Sequence, residues 1–325
     1  NDSMLELLKV LRDNGTISDD AYSVLVNSAE ADKERTDAQI EETAEEKVAS
    51  VKKSTAALKW AEKIKFKGDL RLRREYINSE PEMGDDRSRD RYRYRLRLAA
   101  TADVLDNVQV GLGFASGGID PRSTNETFDD NFSTKDARID LAYAEWQVTD
   151  WASLVGGKFK RKKYLWAPTD VLWDSDIRPE GISTHLENEN SLGTTFGNLG
   201  WWYVDELSST SKDPALYYGQ IGQKYKSGDF FANVAAAYYK FDDFGNVTDT
   251  GGSGGNPINI DDNEDAWALS VETGFNNAIF GKKFRLLGEF VQSGADEDED
   301  GFGVGFKLGD SEVKERGTWQ IKYIY

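Results

Sequence analysis

The chain has 325 residues, 30% of them charged and 38% hydrophobic, with a formal net charge of −18. That polarity excludes helical membrane spans, since no run approaches the ~18–20 apolar residues a spanning helix needs. It leaves a transmembrane barrel open, because alternating lipid-facing and lumen-facing side chains average to a polar-looking sequence. The absence of cysteine removes disulfides and thiolate metal sites, and so acidic a chain argues against nucleic-acid binding. Aromatics at 12%, with 30 glycines against 6 prolines, suit β-structure with tight turns. Asn1 in place of Met reads as a mature chain after signal removal.

The first sixty or so residues differ from the rest. "SMLELLKVLRDNG" predicts a short amphipathic helix with Leu5, Leu8 and Leu11 spaced by three and Gly15 as its stop. Ser18 is a good N-cap for a second helix, with acids in its first turn and no Gly or Pro until about Trp60. Ile40, Ala44, Val48, Val51, Thr55 and Leu58 make a thin apolar stripe between charged flanks. Such a helix hardly folds alone. A self-associating coiled coil and a solvated spacer both stay open. The reading is a helical arm over residues 1–62.

At Ile64 the period changes to two, and residues 63–325 keep it. In "IKFKGDLRLRREYI" the even positions are mostly apolar and the odd ones charged. "DRYRYRLRLAA" repeats the pattern, with Tyr92, Tyr94, Leu96 and Leu98 against Arg91, Arg93, Arg95 and Arg97. About thirteen such segments follow one another, each near the ~10 residues of a tilted membrane strand. Long joints such as "NSEPEMGDDRS" alternate with short ones such as "TDW". Transmembrane barrels alternate in this way, with long external loops and short periplasmic turns. The predicted fold is mainly β: an antiparallel transmembrane barrel of about 14–16 strands when complete, preceded by an α-helical periplasmic arm. Thirteen is an odd number where barrels are normally even, which favours further strands beyond Tyr325 over a miscount by one.

The polar faces carry the candidate function. Lys65, Lys67, Arg71 and Arg73 on the first strand, Arg91, Arg93, Arg95 and Arg97 on the second, and Lys158, Lys160 and Lys162 on the fifth share faces within each strand. Toward lipid each would cost ~2–4 kcal/mol near the midplane. The rows are therefore assigned to a water-filled lumen, Lys65 through Lys160 being the pore-lining candidates. There they hold a positive potential that favours anions, while Asp140, Glu272 and Glu289 are candidate balancing acids. "DVLWDSDIRPEG" supplies Asp170, Trp173, Asp174, Asp176 and Glu180 to a loop expected to fold inward as a constriction and meet Arg161 or Lys160. Its Asp-x-Asp lacks the glycine and terminal glutamate of an EF-hand, so no metal is assigned. "DEDED" at 296–300 reads as a solvated external loop. Trp146, Trp151, Trp166, Trp173, Trp201, Trp202, Trp267 and Trp319 fall at strand ends or loop bases and read as an interface belt. His185 shares a face with Ser183, but nothing supplies an orienting third residue, and no catalytic residue or cofactor is assigned.

The chain resembles the putative porins of Gram-negative bacteria. The likeness rests on "LLKVLRDNGTISDDAYSVL", on "KFKGDLRLRREY" with its return "RSRDRYRYRLRLAA", and on "DVLWDSDIRPEG" after "VGGKFK", spanning about residues 5 to 181. The resemblance implies an outer-membrane barrel with a helical periplasmic start and passive diffusion of small solutes. It also implies oligomers, often trimers, with contacts expected through the barrel wall and N-terminal helices, and chains that continue past a segment like "GTWQIKY". A barrel sheathing an electron carrier is the alternative; a barrel lipase and a soluble carbohydrate-binding protein are weaker ones.

Overall fold

The structure, a computed structural model, describes residues 2–79, 87–208, 212–244, 265–294 and 299–325. It has two compact units, Asn1–Lys63 and Ile64–Tyr325. The first holds α1 (Asp2–Asp13) and α2 (Asp19–Glu62). Gly15, at φ 69°, closes α1 in a left-handed conformation that costs glycine little. Ser18 caps α2 as its spacing predicts, its Oγ accepting the Ala21 amide at 3.2 Å. Arg12 lies 4.5 Å over the Tyr22 ring and ties the two helices together. Ile40 and Val48 of the thin stripe are exposed.

The second unit is a single antiparallel sheet. Its strands are β1 (Ile64–Ser79), β2 (Arg87–Leu105), β3 (Val108–Ala115), β4 (Glu126–Thr127), β5 (Arg138–Thr149), β6 (Ala152–Lys158) and β7 (Glu180–Asn190). They continue with β8 (Gly193–Tyr203), β9 (Ala215–Ser227), β10 (Phe230–Asp242), β11 (Ala266–Ile279), β12 (Lys282–Ser293), β13 (Asp300–Gly309) and β14 (Gln320–Ile324). Among the described residues each pairs with its neighbours in chain order, except that the two-residue β4 leans on β2 and β3 pairs with β5. The ladder thus has thirteen members, the segments that period two marks out. The β1–β2 hairpin is in the register that lays the two basic rows together, Arg71 opposite Arg95 and Arg73 opposite Arg93.

The fifth predicted strand is shorter than its pattern. It ends at Lys158, so Lys160 and Lys162 stand on the following loop, around a 3₁₀ turn at Arg161–Lys163. The side chains of Phe159, Tyr164 and Leu165 are buried, and burying them draws the chain off the ladder. Glu180, read as a loop residue, is instead the first residue of β7. Residues 296–298 of "DEDED", and most of the long joints at 80–86 and 245–264, lie outside the described residues.

The two faces of the sheet are inverted relative to a soluble sandwich. On one face Phe66, Leu70, Leu72, Leu98, Ile221 and Tyr323 stand exposed, Phe66 at 79%. On the other lie Ser153, Ser183, Asn198, Gln220, Ser270 and Glu289, all buried. That second face is concave. Asp170 and Asp176, at most ~20 Å apart along an extended chain, reach Lys322 on β14 at 3.3 Å and Arg97 on β2 at 2.7 Å. A loop that short touches both ends of the ladder only if the sheet curls nearly round.

Inner-face glycines make room for rings. A Cβ on Gly200 would lie 2.1 Å from the Tyr218 ring and 2.7 Å from Ser183 Oγ. Outer-face Gly288 has nothing within 4 Å of such a Cβ. Gly200→Val is expected to destabilise the barrel by about 1–3 kcal/mol, lowering the temperature at which the folded band disappears on a semi-native gel. Gly288→Ala leaves that temperature unchanged.

Candidate functional site: the inner face and its infolded loop

Residues 159–179 cross the concave face and are held there by paired polar groups. Arg161, 6% exposed, donates to the carbonyl of Trp173 at 2.6 Å and that of Leu165 at 3.4 Å. A guanidinium bound to backbone oxygens closes the loop on itself without a carboxylate. Burial holds the Arg161 pKa below its ordinary value. Tyr218 donates from its hydroxyl to Tyr164 O at 2.6 Å. Gln220 clamps Trp166 twice, accepting its amide at 2.9 Å and donating to its carbonyl at 2.8 Å. Thr169 hydrogen-bonds the buried Glu289 carboxylate, which also takes Ser270 at 3.4 Å.

The predicted constriction residues are all found, in different roles. Asp176 pairs with Arg97, Asp170 with Lys322, and Glu180 with Lys158 at 2.6 Å. Asp174 accepts the Asp176 amide at 2.6 Å as a local turn. Trp173 packs edge-on against Trp202, centroids 5.2 Å apart, and against Tyr239 at 5.8 Å. Trp173 and Trp202 are therefore core under the loop, not members of an interface belt. Trp146, Trp151, Trp201, Trp267 and Trp319 are exposed, while Trp166 is half-buried beside Phe196. The loop does meet Arg161, through its carbonyls.

The β1–β2 face carries Lys65, Lys67, Arg71, Arg73, Arg89, Arg91, Arg93, Arg95 and Arg97 against Asp69, Glu75 and Asp103. Among the described side chains nine cations meet three carboxylates, so charge on this face is not balanced locally. Glu75 gathers Arg73, Arg91 and Arg93, and Asp69 takes Arg95 at 2.6 Å. Lys65 takes Asp103 at 3.3 Å, and Arg71, Arg93 and Arg97 also reach neutral acceptors on the joint between β3 and β5. Arg71 donates to Asn125 Oδ1, Arg93 to Asn125 O at 2.8 Å, and Arg97 to Thr124 Oγ1 at 2.6 Å. Lys158 sits beside Glu180, and Lys160 is exposed, its pKa lowered by partial desolvation under the neighbouring chain and then by Arg178. Of the candidate balancing acids, Asp140 meets Arg178 at 3.4 Å and Glu272 meets Arg285 at 3.7 Å.

Sequence reasoning missed a second basic row. Arg285, Lys307 and Lys322 are directly opposite one another across β12, β13 and β14. Lys307 and Lys322 each stand alone in their strand and Arg285 has only Lys283 beside it on its face, so no long ladder appears in any one segment; only the register aligns them. Ser183 and His185 have separate partners. Ser183 Oγ accepts from the Trp202 indole at 2.9 Å and lies 2.9 Å from the Tyr218 hydroxyl, while His185 faces Asn198 and Glu187.

Comparison with known proteins adds a family. The profile of the family described as putative porin matches residues 76–268, more than half of the chain. The chain belongs to the putative porin family. A porin is a channel-forming β-barrel of the outer membrane, and the exposed apolar strand face suits that setting. Among solved structures, OprB of Pseudomonas putida at high pH is 13% identical with TM-score 0.53, covering 83% of this chain and 76% of its own. At that identity the likeness is one of fold, a porin barrel. OmpF of Salmonella typhi in complex with daunomycin is 11% identical with TM-score 0.41, covering 81% of this chain and 97% of its own. No curated protein matches in sequence.

In this porin Arg161 is the loop's internal clasp. Arg161→Met leaves the carbonyls of Leu165, Trp173 and Asp174 without their charged donor, a loss of ~1.5–3 kcal/mol per hydrogen bond at most. Amide hydrogen exchange is expected to speed up at Leu165 and Trp166 while the β9–β10 amides stay protected. Unchanged exchange in the loop would show that packing alone holds it.

Proposed function

We propose that the chain mediates passive diffusion of small hydrophilic solutes across the outer membrane, with a preference for anions. The carrying observation is the surplus of cations on the β1–β2 face. In this reading Lys65, Lys67, Arg71, Arg73, Arg91, Arg93, Arg95 and Arg97 line the lumen wall, with Lys160 on the loop; Lys158, expected there from the sequence, falls by register on the outward face with Leu154 and Ile182, because the inner face of β6 is that of Ser153 and Val155. Residues 159–179 form the constriction. Lys160 and Lys162 then add positive charge on the loop side of the passage as well as on the wall. Fixed cations in a low-dielectric passage raise the local anion concentration and repel cations. The net charge of −18 does not oppose this, because selectivity depends on charge at the narrow part and distant exposed acids are screened within ~8 Å.

The exposed apolar face contacts outer-membrane lipid in this reading. The residue 1–62 arm stands in the periplasm, and copies associate, as trimers, through the barrel wall and the helical arm. The exposed Ile40 and Val48 support a helix-to-helix contact. The loop folded over the inner face counts against a sheath around an electron carrier, which needs an unobstructed lumen.

In planar bilayers under a salt gradient, the reversal potential is expected to take the sign of an anion-selective channel. Replacing Arg71, Arg93 and Arg97 together by Gln should shift it toward zero by roughly half or more. A cation-selective channel would overturn the anion preference, and absence of any current the porin function. Lys160, held below the usual ~10.4 of a lysine, loses its charge at lower pH than an ordinary lysine. Anion selectivity should therefore begin to fall with rising pH earlier than ordinary lysines and arginines would make it, and Lys160→Arg should remove that early fall.

A further inference from the structure

Below the infolded loop, toward the short-turn end of β7–β10, lies a cavity of about 310 Å³. Its walls include Trp166, Phe196, Lys162, Lys224, His185 and Asn198. We propose that it is a binding subsite for a small aromatic carboxylate, a monoanion with one planar ring.

Three observations carry this. The first is shape. The Trp166 and Phe196 rings stand at 82° with centroids 6.4 Å apart, making an apolar corner that takes one flat ring by stacking on one side and edge contact on the other. The volume is at the bottom of the ~300–1,000 Å³ range of small-molecule sites, room for one ring and its substituent.

The second is charge. Lys224 pairs with Glu187 at 3.0 Å and Lys163 with Glu145 at 2.5 Å. Among the described residues Lys162, which is exposed, has no hydrogen-bond or ion-pair partner. One cation is left over at the rim, and it calls for one negative charge.

The third is rigidity. The Trp166 amide must donate, so Gln220 Oε1 accepts it. Asn198 Nδ2 then donates to that same oxygen at 2.8 Å, and Asn198 Oδ1 is left to accept from His185 Nδ1 at 2.7 Å. The hydrogen-bond directions follow from one backbone N–H through three side chains. They hold Trp166 and the imidazole in place, so a ligand meets a site that is already formed. Glu187, which lines the same cavity, is taken up by Lys224 at 3.0 Å, which keeps that carboxylate turned to its own partner, away from an incoming anion.

The test is isothermal titration of the detergent-solubilised full chain with four probes: benzoate, acetate, benzyl alcohol and inorganic phosphate. Benzoate is expected to bind at one site per chain, at least tenfold tighter than acetate, which has the charge without the ring. It should exceed benzyl alcohol, which has the ring without the charge, by a similar factor. Lys162→Gln and Trp166→Ala should each weaken benzoate at least fivefold while the folded band on a semi-native gel persists. Equal binding of acetate or phosphate would reduce the site to charge alone, and equal binding of benzyl alcohol to apolar contact alone. Either result, or variants that bind like the parent chain, overturns the proposal. In bilayers benzoate should also lower single-channel current in KCl saturably. Current without any benzoate effect and without binding sinks this inference alone. Binding without current sinks the porin function and leaves the subsite standing.

Discussion

Much of the strand unit follows from one arrangement: large apolar side chains stand exposed on the outward face, while the concave face buries polar groups beside an apolar cluster under the loop. A soluble sandwich buries Leu and Phe and wets its charges. Here Phe66, Leu70 and Leu72 are exposed while Asn198, Gln220 and Glu289 are buried. A polar inner face has to satisfy its own hydrogen bonds, since an unpaired buried polar group costs ~1–3 kcal/mol. The infolded loop answers that requirement. Its carbonyls and hydroxyls are the partners that Gln220, Tyr218 and Glu289 need, and in turn those residues fix its course. The loop is therefore part of the interior.

The same arrangement explains how the face tolerates like charges side by side. Arg71 opposite Arg95, and Arg73 opposite Arg93, would be unfavourable cross-strand pairs on any sheet. Two carboxylates, Asp69 and Glu75, take up part of the charge, and neutral acceptors on the joint after β3 take up more. The remaining surplus is what an anion-preferring passage requires. A wall fully neutralised by its own ion pairs would give a passage without preference. The loop takes part in both roles, since Asp176 quenches Arg97 while Lys160 and Lys162 add charge.

In the proposed function the infolded loop also sets the scale of anything that passes or binds. By covering the interior from β6 to β14 it splits one wide concavity into narrower spaces. The largest rings, Trp173, Trp202 and Tyr239, are consumed in its packing, which is why tryptophans that look like a lipid belt in the sequence are partly core. Trp166, clamped by Gln220 and left half-buried, is the ring that stays available on the open side.

Period two, the long and short joints, the helix punctuation at Gly15 and Ser18, and the facing of the arginine rows are all local properties. A strand's side chains alternate whatever it packs against, and a cap acts within three residues. These were legible from the sequence by itself, in so far as the arginine rows share one face; the lumen and the constriction assigned to them stay proposals. Three things needed the folded chain. Where β6 stops depends on the burial of Phe159, Tyr164 and Leu165 against distant strands, which no local pattern encodes. The row of Arg285, Lys307 and Lys322 depends on register across three strands. The corner of Trp166 and Phe196 beside Lys162 joins a loop to a strand thirty residues on. Alternation records which way a side chain points, and only pairing and packing decide what it points at.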